Sequence, residues 1–525
     1  MQRRPIDQCY FIGCLLLSLA QLPAALQAQS KPNLTEVSAL RARRVVEAGI
    51  AALGGKEAIT AIKSFTLIER RKGHDAFQNP TPGPPYVDYE AVETLRVDFT
   101  NARLWHDQMT TNPHFVYGTL TIVNQAQSYR ADLWSRRATP LTAPTLDNYR
   151  GLFQKLPQFL LLDVLNERAA SLRWLGKDET EGRPQEVVTY NDRNNRLIAL
   201  YFDARTHLLT KYDYLFVDPA AGDTRSEFIY KDYHHVGQFK FPAGMLNRVG
   251  QHAEHQTRFE IRFDAPLTAD LFTLPAKYEV VEPGAPRSVA PFTMTPIAND
   301  VYLIENVGGG YNVLVVAFDE FLLVAEAPED RPQSGHSERV IATIKAALPG
   351  KPIRYLTFSH HHVDHGCGAR AYIAEGTIIV TTPGNRRFVE TLAKAPFTLK
   401  PDALARHPRS PVIELIEDKK RVISDARHRV ELYDVGPYWH ANEEVLVYLP
   451  KEKLLFEGDL FTSGFGVDVG PAQDHPILLA EKIRELGLDV QQIAGVHGRL
   501  RPLSDLHKAI EKRSRLSISP DSQRQ

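Results

Sequence analysis

Cysteine is almost missing from this chain. Of the 3 cysteines in 525 residues, Cys9 and Cys14 fall in an N-terminal segment expected to be removed. Cys367 is then the single thiol left, so no internal disulfide can form. Stability outside the cytoplasm must come from core size and bound metal. An excess of charge of one sign is also missing. Lys+Arg 62 against Asp+Glu 63 gives a net charge of -1, and without a global basic field nucleic acid is excluded as the expected partner. Beyond the first residues no apolar run approaches the roughly 20 residues that span a bilayer. There is no Gly-x-Ser-x-Gly elbow for a serine nucleophile. Gly308-Gly309-Gly310 lacks a lysine at phosphate-loop spacing and reads as a hairpin turn.

What is present begins with a processing signal. Arg3 and Arg4 precede the apolar stretch Tyr10 to Ala20, and Leu26-Gln27-Ala28 offers a cleavage site. Residues 1–28 are expected to be a signal peptide, which places the mature protein in the periplasm or outside the cell. Lipid anchoring at Cys14 is disfavoured because the apolar run continues well past it.

The remaining length is too great for one core, and two domains are expected. In residues 31–285 a helix over Leu34 to Leu53 precedes many strands of period two. These include Glu93 to Phe99, Ala102 to Gln108, Arg196 to Asp203, Leu208 to Val217 and Thr224 to His235. A helical region over Tyr149 to Leu165 is interrupted at Pro157. The order predicts a curved, mostly antiparallel sheet with helices on one side. Nothing in this stretch suggests a nucleophile or an acid–base pair, so the domain is expected to shape access to a site elsewhere. Pro283-Gly284-Ala285-Pro286 reads as the boundary to a second domain over residues 292–515. There hairpin strands at Val301 to Ile304, Asn312 to Ala317 and Phe321 to Ala325 precede a helix over Ser334 to Leu348.

The densest chemistry is Ser359-His360-His361-His362-Val363-Asp364-His365-Gly366, after the apolar strand Ile353 to Phe358. His360 and His362 alternate, and Asp364 and His365 follow where the chain must turn toward a helix at Gly368 to Tyr372. Three imidazoles and a carboxylate on such a turn suit zinc, iron or manganese. Cys367, between two glycines, reads as a small buried residue. Further candidates close later elements: His440 after Gly436-Pro437-Tyr438-Trp439, Asp459 after Leu454-Leu455-Phe456-Glu457-Gly458, and His497 before Gly498. A carboxylate closing a buried strand is costly unless compensated. Tyr438, Trp439, Asn442 and Glu443 could line the pocket, with Glu443 accepting a hydrogen bond from a ligand histidine. Thr462 to Gly466 is a lid candidate with Phe465 as an apolar contact.

In order, these motifs resemble the metallo-β-lactamase fold superfamily of hydrolases over roughly residues 292–500. The resemblance implies an αβ/βα sandwich. It also implies one metal on His360, His362 and His440, a second on Asp364, His365 and His497, and Asp459 bridging both. Residues 31–285 resemble the half-barrel of periplasmic lipoprotein carriers through Leu200 to Leu209, Tyr230-Lys231-Asp232-Tyr233, Lys240-Phe241-Pro242 and Asp270 to Pro275. The fold class expected is therefore α+β in two domains, a curved antiparallel half-barrel followed by the sandwich.

Two divalent ions, zinc first with iron or manganese as alternatives, would hold a hydroxide between them at a separation of about 3.5 Å. Asp364 could orient that hydroxide through its second oxygen. Asp459 stands in the position where true β-lactamases of the superfamily usually lack a carboxylate. The chain after His497 holds at most one closing helix, unlike the helical domain of glyoxalase II. Hydrolysis of a small-molecule ester, lactone or amide, with an apolar portion if the first domain is a half-barrel, is the expectation. The alternatives are β-lactamase, phosphodiesterase or sulfatase activity at the same site, a mononuclear-iron sulfur dioxygenase, and a non-enzymatic carrier of apolar ligands.

Overall fold

The computed structural model describes residues 33–112, 114–281, 292–463 and 468–515. The expected signal peptide with Cys9 and Cys14, the boundary at Pro283 to Pro286, and Gly464 to Gly466 of the lid candidate lie outside the described residues. Among the described residues no helix is long and apolar enough to cross a membrane.

The first domain is one fourteen-stranded sheet carrying helices. Helix Leu34–Leu53 starts at Asn33, whose side chain accepts from the Glu36 N–H at 3.0 Å while Glu36 accepts the Asn33 N–H at 2.8 Å. This reciprocal pair satisfies two of the N–H groups that a helix start leaves bare. Gly54, at φ 134, ends it. Ala42, Val46, Ile50 and Leu53 face the sheet and share one core with Phe65, Leu67, Leu95, Val97, Leu200 and Phe202. The second helical region is split as its proline requires, into Gly151–Gln154 and Pro157–Glu167. Pro157 occupies the first turn, where its missing N–H costs nothing. The ring of Phe65, fully buried, meets Phe99, Phe153 and Phe159 at 5.9, 6.0 and 5.4 Å. Truncating such a side chain to alanine costs about 3–5 kcal/mol.

Strand Ser64–Asp75 lies inside the sheet. It pairs antiparallel with Tyr89–Asp98 on one side and with Ala253–Phe263 on the other. The loop that leaves its end at Asp75 is therefore launched from a strand fixed on both edges.

The second domain stacks helix, sheet, sheet and helix. Its seven-stranded sheet runs Thr293–Ala298, Val301–Val307, Tyr311–Ala317, Leu322–Ala325, Ile353–Thr357, Ile378–Thr381, Val412–Leu415. The six-stranded sheet runs Lys420–Ser424, Arg429–Asp434, Val445–Leu449, Leu454–Glu457, Gln492–Gly495, Arg501–Pro502. Leu303, Leu314, Val316 and Leu323 of the first sheet meet Leu432, Val447 and Phe456 of the second in a buried layer between them. Helices His336–Ala347, Ala369–Glu375 and Arg386–Lys394 cover the outer face of the first sheet through Val340, Ile344, Ile373 and Val389. Helices Asp474–Glu485 and Leu503–Arg515 cover the second through Leu479, Ile483 and Leu506. The three glycines at 308–310 form the turn between paired strands Val301–Val307 and Tyr311–Ala317.

The parallel pairs decide where the site lies. Leu322–Ala325, Ile353–Thr357 and Ile378–Thr381 run parallel in one sheet, Leu454–Glu457 and Gln492–Gly495 in the other. Loops leaving the carboxyl ends of such strands converge in a crevice, the common place for a site in α/β sheets.

Candidate metal centre

Three strand ends deliver the polar residues. Ile353–Thr357 runs into Ser359 to His365, Leu454–Glu457 into Asp459, and Gln492–Gly495 into His497. The chain turns at once after the histidines, with the N–H groups of His365 and Gly366 both donating to the His362 carbonyl, at 3.0 and 2.9 Å. The turn leads into helix Ala369–Glu375, as the glycines there suggested. Gly458 is required by close approach: a Cβ there would fall 2.5 Å from Ser359 Oγ. Asn312, fully buried, donates through Nδ2 to the carbonyls of Gly495 and Gly498 at 2.9 and 2.6 Å, which pins the turn carrying His497.

All seven sequence-derived candidates meet here. His360, His362, His440 and Asp459 bring one donor atom each within 4.8 Å of one another, and so do Asp364, His365 and His497. His360 Nε2 lies 3.0 Å from His362 Nδ1. Asp459 faces both groups: Oδ2 is 2.9 Å from His440 Nε2 and 3.8 Å from His360 Nε2, while Oδ1 is 3.2 Å from His497 Nε2 and 3.4 Å from His365 Nε2. Asp364 Oδ2 is 3.1 Å from His497 Nε2.

The donor set fits two divalent cations. Nε2 of His365 and of His440 are buried ring nitrogens that face Asp459 at 3.4 and 2.9 Å without hydrogen-bond alignment, the arrangement of donors turned toward a common cation rather than toward one another. The back nitrogens are supported. His360 Nδ1 is 3.0 Å from Ser359 Oγ and 3.2 Å from Glu444 Oε2, and His365 Nδ1 is 3.1 Å from Ser359 Oγ and 3.3 Å from Glu326 Oε2. A carboxylate behind a ligand imidazole fixes its tautomer and raises its basicity. Among the described residues two ligand clusters are thus present, consistent with a binuclear metal cofactor site.

Electrostatics separate the two groups. Burial, helped by neighbouring histidines, pushes His360 and His362 well below the usual imidazole range and keeps both rings neutral. Burial would raise Asp459 and Asp364, but His365 foremost, with His497, holds both below the usual carboxylate range. Burial likewise fails to lower His365, because Asp459, Asp364 and Glu326 hold it up.

The sequence pointed to Glu443 as the hydrogen-bond partner of a ligand histidine, and the structure gives that place to Glu444. Glu443 lies over Gly384, where a Cβ would fall 2.0 Å from its Oε1. Tyr438, buried, donates to Glu444 Oε2 at 3.3 Å. Trp439 stacks on His114 of the first domain at 4.2 Å and donates to His475 Nε2 at 3.1 Å. Burial pushes His475 down to about 4, with His440 adding to the effect. Cys367 is fully buried, with its Sγ 3.7 Å from the His361 carbonyl, and stands in neither cluster.

Glu326, Ser359 as a support, Asn312 and His475 were missed from the sequence. Glu326 carries one backbone signal, visible only in the fold: its φ is 83, a strained value for a residue with a side chain. Its carboxylate accepts the Ser359 N–H at 2.8 Å, which returns that strain as an anchored ligand loop.

Residues 334–502 match the model of the metallo-beta-lactamase superfamily. The C-terminal domain resembles that superfamily. Among solved structures, the metallo-beta-lactamase FIM-1 from Pseudomonas aeruginosa in its mono-zinc form is 21% identical, covering 44% of this chain and 98% of its own, with a TM-score of 0.32. The sec-alkylsulfatase Pisa1 from Pseudomonas sp. is 13% identical, covering 42% of this chain and 41% of its own, with a TM-score of 0.30. A LolA superfamily protein from Nitrosomonas europaea is 10% identical, covering 44% of this chain and 97% of its own, with a TM-score of 0.28. No curated protein matches the chain.

Proposed function

We propose that this protein is a binuclear metal-dependent hydrolase that cleaves an ester, lactone or amide of a small molecule. The observation that carries the reading is Asp459, whose two oxygens face two separate ligand groups. In this reading His360, His362 and His440 hold one cation, Asp364, His365 and His497 the other, and Asp459 both. Zinc is the first choice, since imidazole and carboxylate donors in two small sets suit it. When bound, such a pair activates water at neutral pH and polarises a carbonyl.

The chain's own groups do the rest. Neutral His360 and His362 present lone pairs without adding charge. Two carboxylates, Asp364 and Asp459, offset only part of the charge of two divalent ions, which leaves the site attractive to the oxyanion of a tetrahedral transition state. Asp364 would help to hold the second cation, and its remaining oxygen would be free to orient a water for attack. We also infer that residues 1–28 are a signal peptide, that the protein acts in the periplasm or outside the cell, and that residues 31–285 form a half-barrel favouring substrates with an apolar portion.

The test is a panel on the metal-loaded protein comparing lactones, aryl esters, β-lactams, phosphodiesters and sulfate esters. Lactones or aryl esters should be turned over best. A preference for phosphodiesters or sulfate esters by a factor of about 100, worth roughly 2.7 kcal/mol in the barrier, contradicts the acyl-transfer reading.

A further inference from the structure

The metal centre is completed from the other domain. Strand Ser64–Asp75 of the first domain ends in a short turn, Ala76–Gln78, and a loop that returns at Tyr89. The ring of Phe77 lies 4.9 Å from His252 of its own domain and also reaches Phe388 of the second at 6.4 Å. Two residues later, the backbone carbonyl of Asn79 lies 3.0 Å from Nε2 of His362. Gln78 Nε2 donates to Asp364 Oδ1 at 3.4 Å, and the Pro80 carbonyl accepts the N–H of Asn442, two residues past His440, at 2.9 Å. The loop thus touches one member of each ligand group and the backbone next to a third.

The Asn79 contact fixes chemistry as well as position. A carbonyl oxygen can only accept, so His362 Nε2 must carry the ring proton. A neutral imidazole with its proton there has one lone pair, at Nδ1, the nitrogen that faces His360 Nε2. The other tautomer would set two lone pairs against each other and point an N–H at the ligand cluster. Asn79 itself is built to hold that carbonyl still. Its buried side chain donates to the Val87 carbonyl at 2.8 Å and accepts the Val87 N–H at 2.9 Å, stapling the two ends of the loop.

We propose that Asn79 and Gln78 are positioning residues of the metal centre, Asn79 selecting the Nδ1-donating tautomer of His362 and Gln78 orienting Asp364. The inference rests on the two-metal reading and extends it: domain docking and metal binding become one linked equilibrium, with the first domain binding tightest when the metals are in place.

The test measures zinc affinity by competition with a chromophoric chelator in the full mature chain. The His497→Ala background isolates the first ligand set and the His440→Ala background the second. Asn79→Ala keeps the backbone carbonyl but removes both hydrogen bonds to Val87 that hold it in place. It should therefore weaken zinc several-fold in the first background, short of the roughly 10- to 100-fold that outright loss of a ligand's partner costs, and leave the second near its starting value. Gln78→Ala should do the reverse, by a few-fold, because its contact is longer and exposed. A loop with a merely structural role would weaken both sites together or neither, and either result overturns the proposal. If Asn79→Ala does not fold, nitrogen-15 histidine spectra of the zinc-loaded natural chain decide. A protonated, slowly exchanging Nε2 on His362 supports the proposal, and a protonated Nδ1 overturns it. Failure of the natural chain to bind zinc at all would instead remove the two-metal reading.

Discussion

Arg331 belongs to the second domain but makes its ion pairs in the first. Its Nε lies 2.6 Å from Asp218 Oδ2, Nη2 lies 3.3 Å from Asp75 Oδ1, and Nη1 pairs with the other oxygen of Asp75. Arg331→Met would keep the apolar stem and remove the charge, stranding two carboxylates at the domain junction. Asp218 is fully buried there, and breaking a buried pair from one side costs about 3–5 kcal/mol. Two features reduce that figure. Asp218 keeps the N–H groups of Ala220 and Ala221, at 2.9 and 3.0 Å, and the arginine side chain is itself 24% exposed. A loss of about 2–3 kcal/mol is therefore expected. Urea unfolding followed by circular dichroism measures it. Asp218→Asn in the same chain removes the stranded charge and should restore about 1 kcal/mol of the loss. Asp75 also caps the turn before Asn79 by accepting the Phe77 N–H at 2.9 Å, so Arg331→Met should weaken zinc binding at the first ligand set as well. A loss under about 0.5 kcal/mol, or strict additivity of the two substitutions, would refute the argument that this pair clamps the domains.

The same buried groups set three further outcomes. Burial would raise the Asp218 carboxyl, but nearby His252, 3.7 Å away, and the charge of Arg331 hold it at about 2, below its ordinary 3.8. The clamp should thus be fully present above the ordinary value and lose about 2 kcal/mol as pH falls from there toward the folded value. Acid titration of unfolding should show this loss in the natural chain and not in Asp218→Asn. Asp364→Asn should lower the rate of the chemical step by about three orders of magnitude, with metal content measured alongside to separate chemistry from binding. Reducing agents should leave the melting temperature of the mature protein unchanged, because Cys367 is buried and has no partner thiol. A bridge found by mass analysis, or a lipid on Cys14, would contradict the proposed processing.

Much of the fold and the site was legible in the sequence because the signals were local. Helix Leu34–Leu53 declared itself by apolar spacing and a glycine end, and its capping pair agrees. Strand-end histidines and carboxylates could be picked out because uncompensated polar groups there are expensive. Strand Phe239–Val249 went unread because Pro242 and Gly244 break its pattern, although the sheet accommodates both. Helix Asp474–Glu485 went unread with Pro476 in its first turn, a place where proline does no harm. Glu443 and Glu444 differ by one position, and in an extended chain one position reverses the face. Only the register of strand Val445–Leu449 against Arg429–Asp434 and Leu454–Glu457 decides between them. Glu326 and Asn79 were beyond reach for a different reason. Their partners lie in distant strands or in the other domain, and the Asn79 contact is carried by a backbone carbonyl that every residue possesses.

The central claim is that one site holds two metals on two separable ligand sets joined by Asp459. Metal content per protomer, measured on the purified natural chain and on His440→Ala and His497→Ala, tests it most directly. The natural chain should retain two equivalents after dialysis, with His440→Ala losing the metal of the first set and His497→Ala that of the second. Two tightly held equivalents in both variants would contradict the account.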